Sequence, residues 1–305
     1  MIESTGTGKN KYVLAEGMEM DIKKIGVVGA GAMGSGISQV AAQSGCTVVM
    51  QDVANEFVKK GMNSIERFLT KGIERGKVTQ QQKEEVLSGI KGTTRIEEMA
   101  DADFIIEAIF EDLKAKQDVF KKLDSLVGPD VILCTNTSSI SITEIASATK
   151  RPDKVAGMHF FNPAQIMRLV EVIRGYYSSD ETIETVIDLA KKMGKEPVEV
   201  KKDSPGFVVN RILMPHFIEA IKIVEEGIAT VEDVDKAVKL GLNYPMGPFE
   251  LMDLTGNDIG YHVMEYLHNE LSRELKWSPP NLLKTLIRGG RLGRKAGGGW
   301  YDYEG

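Results

Sequence analysis

Cysteine, histidine and surplus positive charge are all scarce in this chain, and each scarcity excludes something. Two cysteines in 305 residues, Cys46 and Cys134, both inside apolar strand-like runs, cannot build a disulfide framework and are expected as buried, reduced thiols. The net charge of −6, from 38 basic and 44 acidic side chains, argues against nucleic acid or an acidic membrane surface as the main partner. A polyanionic ligand would need a local basic patch. No apolar run reaches the length of a membrane span and no charged-apolar-small leader opens the chain, so a cytoplasmic protein is expected. Of the four histidines, His262 and His268 sit six positions apart on a predicted helix and point in different directions. His216 follows a proline with no Cys or acid pattern beside it. No metal site is expected.

The strongest signal present runs from Val27 to Asp52. Gly29, Gly31 and Gly34 form G-x-G-x-x-G directly after the apolar run Ile25, Val27, Val28, and small residues then open a helix. The glycines serve three physical ends: a tight turn, close backbone approach to a pyrophosphate, and close packing of helix on strand. Together with Ala30, Ala32 and Met33 they make an expected cofactor-binding turn, because unpaired N–H groups and the helix dipole favour phosphate at a helix N-terminus. Asp52 follows Gly29 by 23 residues, where a carboxylate can accept both ribose hydroxyls of an adenosine. The plainer alternative for Asp52 is a strand-end aspartate that caps a turn. The expected cofactor is NAD.

Residues 1–20 are polar and glycine-containing and are expected to be an extension outside the fold, with Met20 a candidate start. Within them, Gly6-Thr7-Gly8-Lys9 lacks the remaining residues of a phosphate loop and is set aside. From 21 to 204 strands alternate with helices: after Asp52 a long amphipathic helix carries the stripe Val58, Met62, Ile65, Leu69, Ile73, and another follows Thr79. Strands are expected at 91–95, 102–109, 130–138, 154–160, 168–174 and 196–200, with helices at 113–126 and 180–193. Beyond Asp203-Ser204-Pro205-Gly206 only helical periods remain, at 207–227, 231–240, 248–271 and 279–288. The expected fold is an α/β Rossmann-like doubly wound domain over 21–204, then an all-α C-terminal domain over 205–305.

His159 ends the strand KVAGMH, where an open α/β sheet points side chains at its ligand crevice. Glu171 sits in the apolar strand LVEVI, where an unpaired carboxylate would be expensive. A pair with His159 resolves both observations and would orient the ring and stabilise an imidazolium. The alternative is that both are partly exposed and unrelated. On the helix after Asp52, Lys60, Ser64, Arg67, Lys71 and Arg75 share one face opposite the apolar stripe. That face is either a basic ridge for a polyanion or an ordinary solvated surface.

The runs G-x-G-x-M-G-x-G-I, NTSSISIT, HFFNP followed by LVEVI, PGFVVNR, YPMGPFEL and GRKAGGGWYDY together resemble the L-3-hydroxyacyl-CoA dehydrogenase family, and within it the free-standing bacterial 3-hydroxybutyryl-CoA dehydrogenases. The resemblance runs from about Met20 to Tyr303. It implies NAD-dependent interconversion of L-3-hydroxyacyl-CoA and 3-ketoacyl-CoA, a short-chain acyl-CoA substrate, and a homodimer or higher oligomer through the helical domain. By motif, it implies His159 as catalytic base and Glu171 as its partner, with Ser138 and Asn210 bonding the substrate. Glu111, Lys116, Ser138, Asn162 and Lys295 match cofactor positions, and coenzyme A contacts fall on the segment holding Ser64, Arg67 and Lys71. Two other readings stay open: another Rossmann-plus-helical hydroxy-acid dehydrogenase using a lysine as acid/base, and a non-catalytic NAD-binding or structural member. A serine hydrolase built on Ser138 is not one of them, because no G-x-S-x-G elbow surrounds it.

Overall fold

The computed structural model of the chain describes residues 22–303; the expected extension over 1–20 lies outside the described residues. The chain opens as a β-α-β unit: β1 (Lys24–Val28), α1 (Ala32–Gln43) and β2 (Thr47–Gln51). Two helices, α2 (Asn55–Glu74) and α3 (Gln80–Ser88), lead to β3 (Ile90–Thr93). Thr79 starts α3 with a reciprocal capping box to Gln82, as a Thr three residues before a Gln can. The chain then returns past β1 to β4 (Phe104–Glu107), α4 (Leu113–Leu126), β5 (Ile132–Thr135), the short α5 (Ile142–Ala146) and β6 (Val155–Phe160). It doubles back as β7 (Leu169–Ile173), followed by α6 (Asp180–Lys192) and β8 (Glu196–Val200).

The eight strands form one sheet in the order β3-β2-β1-β4-β5-β6-β7-β8, parallel except at the antiparallel β6–β7 pair. The order reverses direction between β1 and β4, which opens a ligand crevice at the carboxyl ends of those strands. Alternate strand residues bury into two separate layers, as both-sided coverage requires. Ile25, Val27, Val48, Met50 and Ile106 face one layer with Ile65 and Leu69 of α2; Val28, Val49, Ile105 and Leu133 face the other with Phe120 and Leu123 of α4.

After β8 the described chain is helical: α7 (Val209–Glu225), α8 (Val231–Gly241), α9 (Pro248–Thr255), α10 (Asn257–Glu270) and α11 (Asn281–Arg288). Met214, Phe217, Phe249, Met252, Met264, Leu267 and Trp277 form its core. The single helix expected over 248–271 is two, because Gly256 adopts φ 104° and breaks the hydrogen-bond ladder between α9 and α10. The terminal GWYDY run folds back onto buried Asp253, which accepts hydrogen bonds from the Trp300 and Tyr301 amides at 2.9 and 3.0 Å. No helix among the described residues is long and apolar enough to cross a membrane.

Candidate active site

The three glycines of the first turn have three different surroundings. Gly29 has φ 104°, and a Cβ there would lie 2.5 Å from the Ala108 carbonyl oxygen. A Cβ on Gly34 would lie 1.9 Å from the Gly29 oxygen, so the packing of α1 onto the turn admits only glycine. On Gly31 a Cβ would meet no atom within 4 Å, leaving an open backbone face at the α1 N-terminus. Gly31 is the N-cap, no side chain caps the helix and no acid occupies its first turn. A pyrophosphate fits this cradle sterically and electrostatically.

Asp52, at the end of β2, accepts from the Ala30 N–H through Oδ2 and from the Val53 N–H through Oδ1, each at 2.7 Å. The aspartate therefore does cap the turn. Each oxygen keeps a further lone pair, so turn-capping and ribose binding are compatible.

His159 and Glu171 face each other across the antiparallel β6–β7 pair, and that register brings them together. His159 Nδ1 lies 2.9 Å from Glu171 Oε2, and the residues are only 5% and 1% exposed, so the reading of two unrelated exposed groups fails. An ionised carboxylate only accepts, so Nδ1 carries the proton and the neutral ring presents Nε2 as an acceptor. Phe161 and Phe207 pack on the imidazole at centroid distances of 4.6 and 5.7 Å. The other carboxylate oxygen, Oε1, accepts from the Val208 and Val209 amides at 3.0 and 2.9 Å. Gly206 and Phe207 sit at φ 75° and 49°, a left-handed corner that aims these first N–H groups of α7 at the carboxylate. The helical part of the chain thus completes a dyad built on the sheet.

Ser138 lies on the turn after β5. The turn is drawn around Glu111, whose Oε1 accepts from Thr137 Oγ1 at 2.6 Å and from the Ser138 and Ser139 amides at 2.8 and 3.2 Å. That is why the strand expected over 130–138 ends at Thr135. Asn136 Oδ1 accepts from the Phe160 N–H at 2.8 Å and ties the turn to the end of β6. Asn210 Nδ2 lies 3.4 Å from the Ser138 carbonyl oxygen, which ties the Ser138 turn to the start of α7, where the Val209 amide bonds Glu171.

The remaining expected residues divide. Lys116 is 1% exposed and lies beneath the turn, its ammonium 2.8 Å from Glu107 Oε1 and 3.4 Å from Glu111 Oε2. Asn162 is exposed on the loop after β6. Lys295 is in the helical part and is bonded to both oxygens of Asp258, at 2.6 and 2.7 Å; no contact among the described residues joins it to the glycine turn. On α2, Val58, Gly61, Ile65 and Leu69 are buried while Lys60, Arg67, Lys71 and Arg75 are exposed and Ser64 is half-buried. Arg67 and Lys71 line a shallow depression with Asn63, Glu66, Thr70 and Glu74, so the ridge carries acids among its bases.

Glu107, Thr135 and Phe207 were not among the expected site residues. Glu107 had a readable signal, a carboxylate in the apolar strand FIIE, the same anomaly that marks Glu171. It is fully buried and accepts from Thr135 Oγ1 and the Ile109 N–H, both at 2.7 Å, as well as from Lys116. Phe207 stands in the PGFVVNR run, but nothing in its local sequence says that it packs on the imidazole.

A dinucleotide cradle at a switch point and, farther along the same sheet, an oriented imidazole define a two-part NAD-dependent dehydrogenase. The sequence matches the model of the 3-hydroxyacyl-CoA dehydrogenase NAD binding domain over residues 24–204 and that of the 3-hydroxyacyl-CoA dehydrogenase C-terminal domain over 206–303; the chain belongs to this family. It is 48% identical over 280 residues to the 3-hydroxybutyryl-CoA dehydrogenase of Clostridioides difficile, covering 92% of this chain and 99% of that one. Identity to the mitochondrial hydroxyacyl-coenzyme A dehydrogenase of Homo sapiens is 41% over 297 residues, covering 95% and 94%. The crystal structure of (S)-3-hydroxybutyryl-CoA dehydrogenase from Ralstonia eutropha matches with a TM-score of 0.89 at 44% identity, covering 93% of this chain and 100% of that one. The family, the fold class and the nicotinamide cofactor expected from the sequence are those found.

Proposed function

We propose that the protein interconverts L-3-hydroxyacyl-CoA and 3-ketoacyl-CoA, with the short-chain 3-hydroxybutyryl thioester as its substrate and NAD as its cofactor. The observation that carries this reading is the buried His159–Glu171 pair, closed by two amides at the start of α7. When bound, NAD would supply the hydride acceptor for C3 of the substrate, and NADH the hydride donor in the reverse direction. His159 Nε2 takes the hydroxyl proton in the oxidative direction and gives it back to the ketone in the reductive one. Glu171 stabilises the imidazolium formed on the way, and the Val208 and Val209 amides hold Glu171 in place. Ser138 and Asn210 fix the substrate oxygen whose charge changes. Gly29 to Gly34 hold the pyrophosphate and Asp52 the adenosine ribose. Glu111, with Lys116 beneath its turn, and Asn162 would hold the nicotinamide end of the cofactor. Lys295 contributes from the helical part.

The ridge of half-buried Ser64 with exposed Arg67 and Lys71 meets the coenzyme A phosphates. The segment from about 205 onward serves as the dimerisation domain of a cytoplasmic homodimer or higher oligomer; Ile212, Leu240, Leu254 and Ile259 are exposed apolar side chains available for that contact. The test is a set of initial rates with acetoacetyl-CoA, longer 3-ketoacyl-CoAs and free 3-hydroxybutyrate, each with NAD(H) and NADP(H). Turnover fastest with acetoacetyl-CoA and NADH supports the reading. Turnover of the free acid without the thioester, or of neither, overturns it.

A further inference from the structure

The network under the Ser138 turn holds more negative charge than its one cation requires. Lys116 is 1% exposed and its ammonium has two carboxylates within ion-pair distance. Glu111 alone would neutralise it. Glu107 nevertheless has the nearer claim, at 2.8 Å against 3.4 Å, and its side chain is wholly buried while that of Glu111 is 39% exposed. Thr135 Oγ1 and the Ile109 N–H fix Glu107 in that position. A network serving only to anchor α4 under the turn could have been neutral, with an apolar residue at the end of the apolar strand FIIE. Instead the surplus charge falls mainly on Glu111, the more weakly paired and more exposed of the two carboxylates.

We propose that Glu107 is a specificity-determining residue for the redox state of the cofactor: by sharing Lys116 at the shorter distance it leaves the Glu111 carboxylate only partly compensated, favouring the oxidised, cationic nicotinamide over the reduced, neutral one. This rests on the placement of the nicotinamide beside the Glu111 turn. The attraction acts on the ring's positive charge alone, because the rest of the dinucleotide is the same in both redox states. It falls on the ratio of the two affinities and not on their common strength.

The experiment measures dissociation constants for NAD⁺ and NADH, by calorimetry at low salt, on the parent and on Glu107→Gln, Glu111→Gln and Thr135→Val. Glu107→Gln retains an acceptor for Lys116 and removes one charge, so Lys116 then neutralises Glu111. The ratio Kd(NAD⁺)/Kd(NADH) should rise about fivefold or more in this variant and in Glu111→Gln. Thr135→Val removes the hydroxyl that donates to Glu107 and accepts from the Thr137 N–H, without touching charge, and its ratio should stay at the parent value. An unchanged ratio in a Glu107→Gln protein that binds both nucleotides overturns the proposal. Should that variant fail to fold, an unchanged ratio in Glu111→Gln overturns it equally. A shift in Thr135→Val as large as in Glu107→Gln also overturns it, since packing and not charge would then be responsible. A folded parent that binds neither nucleotide would refute the cofactor placement itself, a distinct result.

Discussion

Replacing Glu171 by glutamine preserves shape and removes one charge, and the structure states what that should cost. The carboxylate accepts from three donors: His159 Nδ1 at 2.9 Å and the Val208 and Val209 amides at 3.0 and 2.9 Å. A carboxamide offers one acceptor oxygen and one NH₂ group. If its oxygen keeps the two amides, the NH₂ faces Nδ1 and drives the ring proton to Nε2, the wrong tautomer for a base. If it turns the other way, the NH₂ meets two N–H groups in a site only 1% exposed, and the first donors of α7 are left unpaired. Either orientation also deprives the imidazolium of its counter-charge in the transition state. A hydrogen bond to a charged group contributes about 1.5–3 kcal/mol, and breaking a buried pair costs about 3–5 kcal/mol. A barrier increase of about 3–4 kcal/mol is therefore expected, or roughly a hundred- to a thousandfold in kcat.

The assay is acetoacetyl-CoA reduction by NADH, with NADH affinity measured separately by fluorescence titration. Affinity should change by less than about twofold, because Glu171 lies on β7, away from the glycine turn. His159→Gln should lower kcat comparably, and the double variant should be little worse than either single one, since the two residues act as a unit. A Glu171→Gln enzyme retaining kcat within about threefold of the parent would refute the pairing as a catalytic device.

Asp52 should give the parent a strong preference for NADH over NADPH, since a carboxylate repels a 2′-phosphate and Val53 and Ala54 offer no arginine to neutralise it; equal kcat/KM for the two would sink this idea. Arg67→Glu with Lys71→Glu should raise KM for acetoacetyl-CoA and spare kcat, with the effect shrinking at high salt as charges are screened over about 10 Å at 0.1 M. An unchanged KM at low salt would make that face of α2 a solvated surface. Asp253→Ala removes the acceptor for Asn257 Nδ2, the Trp300 and Tyr301 amides and Tyr303 Oη, so urea unfolding should show a loss of about 3–5 kcal/mol; a loss below about 1 kcal/mol contradicts it. The hydrogen bond from Lys239 holds the Glu250 carboxyl below its ordinary 4.5. Its stabilisation is thus present at neutral pH and lost as pH falls through that lowered pKa, so the Tm gap between the parent and Glu250→Gln should close in acid. A gap that persists there would refute the pair's role.

What could be read from the sequence was whatever depends on local spacing. The glycine turn is legible because each of its glycines answers to a neighbour fixed by strand–turn–helix geometry. The apolar stripe of α2 is legible because a helix repeats every 3.6 residues. Less legible were features decided by contacts distant in sequence. Glu111 draws residues 137–139 into a turn from 26 to 28 positions away, which shortens β5 below its apolar run. Lys116 is expected from the resemblance at a cofactor position, and only the fold shows it buried between two carboxylates. Gly256 looks tolerable inside a helix, but its φ of 104° splits one expected helix into two.

The carboxylates at Glu107 and Glu171 follow one physical rule from opposite sides of the site. Each stands in a strand otherwise apolar, and each would be too costly to bury without several donors. The sheet alone supplies too few. Glu171 obtains its backbone amides from α7, and Glu107 its ammonium from α4. A charge buried in a strand is therefore a demand for partners that only later parts of the chain can meet, and meeting it fixes where those parts dock. The corner at Gly206–Phe207 is held in place by what Glu171 requires, just as α4 is held by what Glu107 requires. The groups that cost most to bury are for this reason the ones that align imidazole, serine turn and dinucleotide cradle with one another.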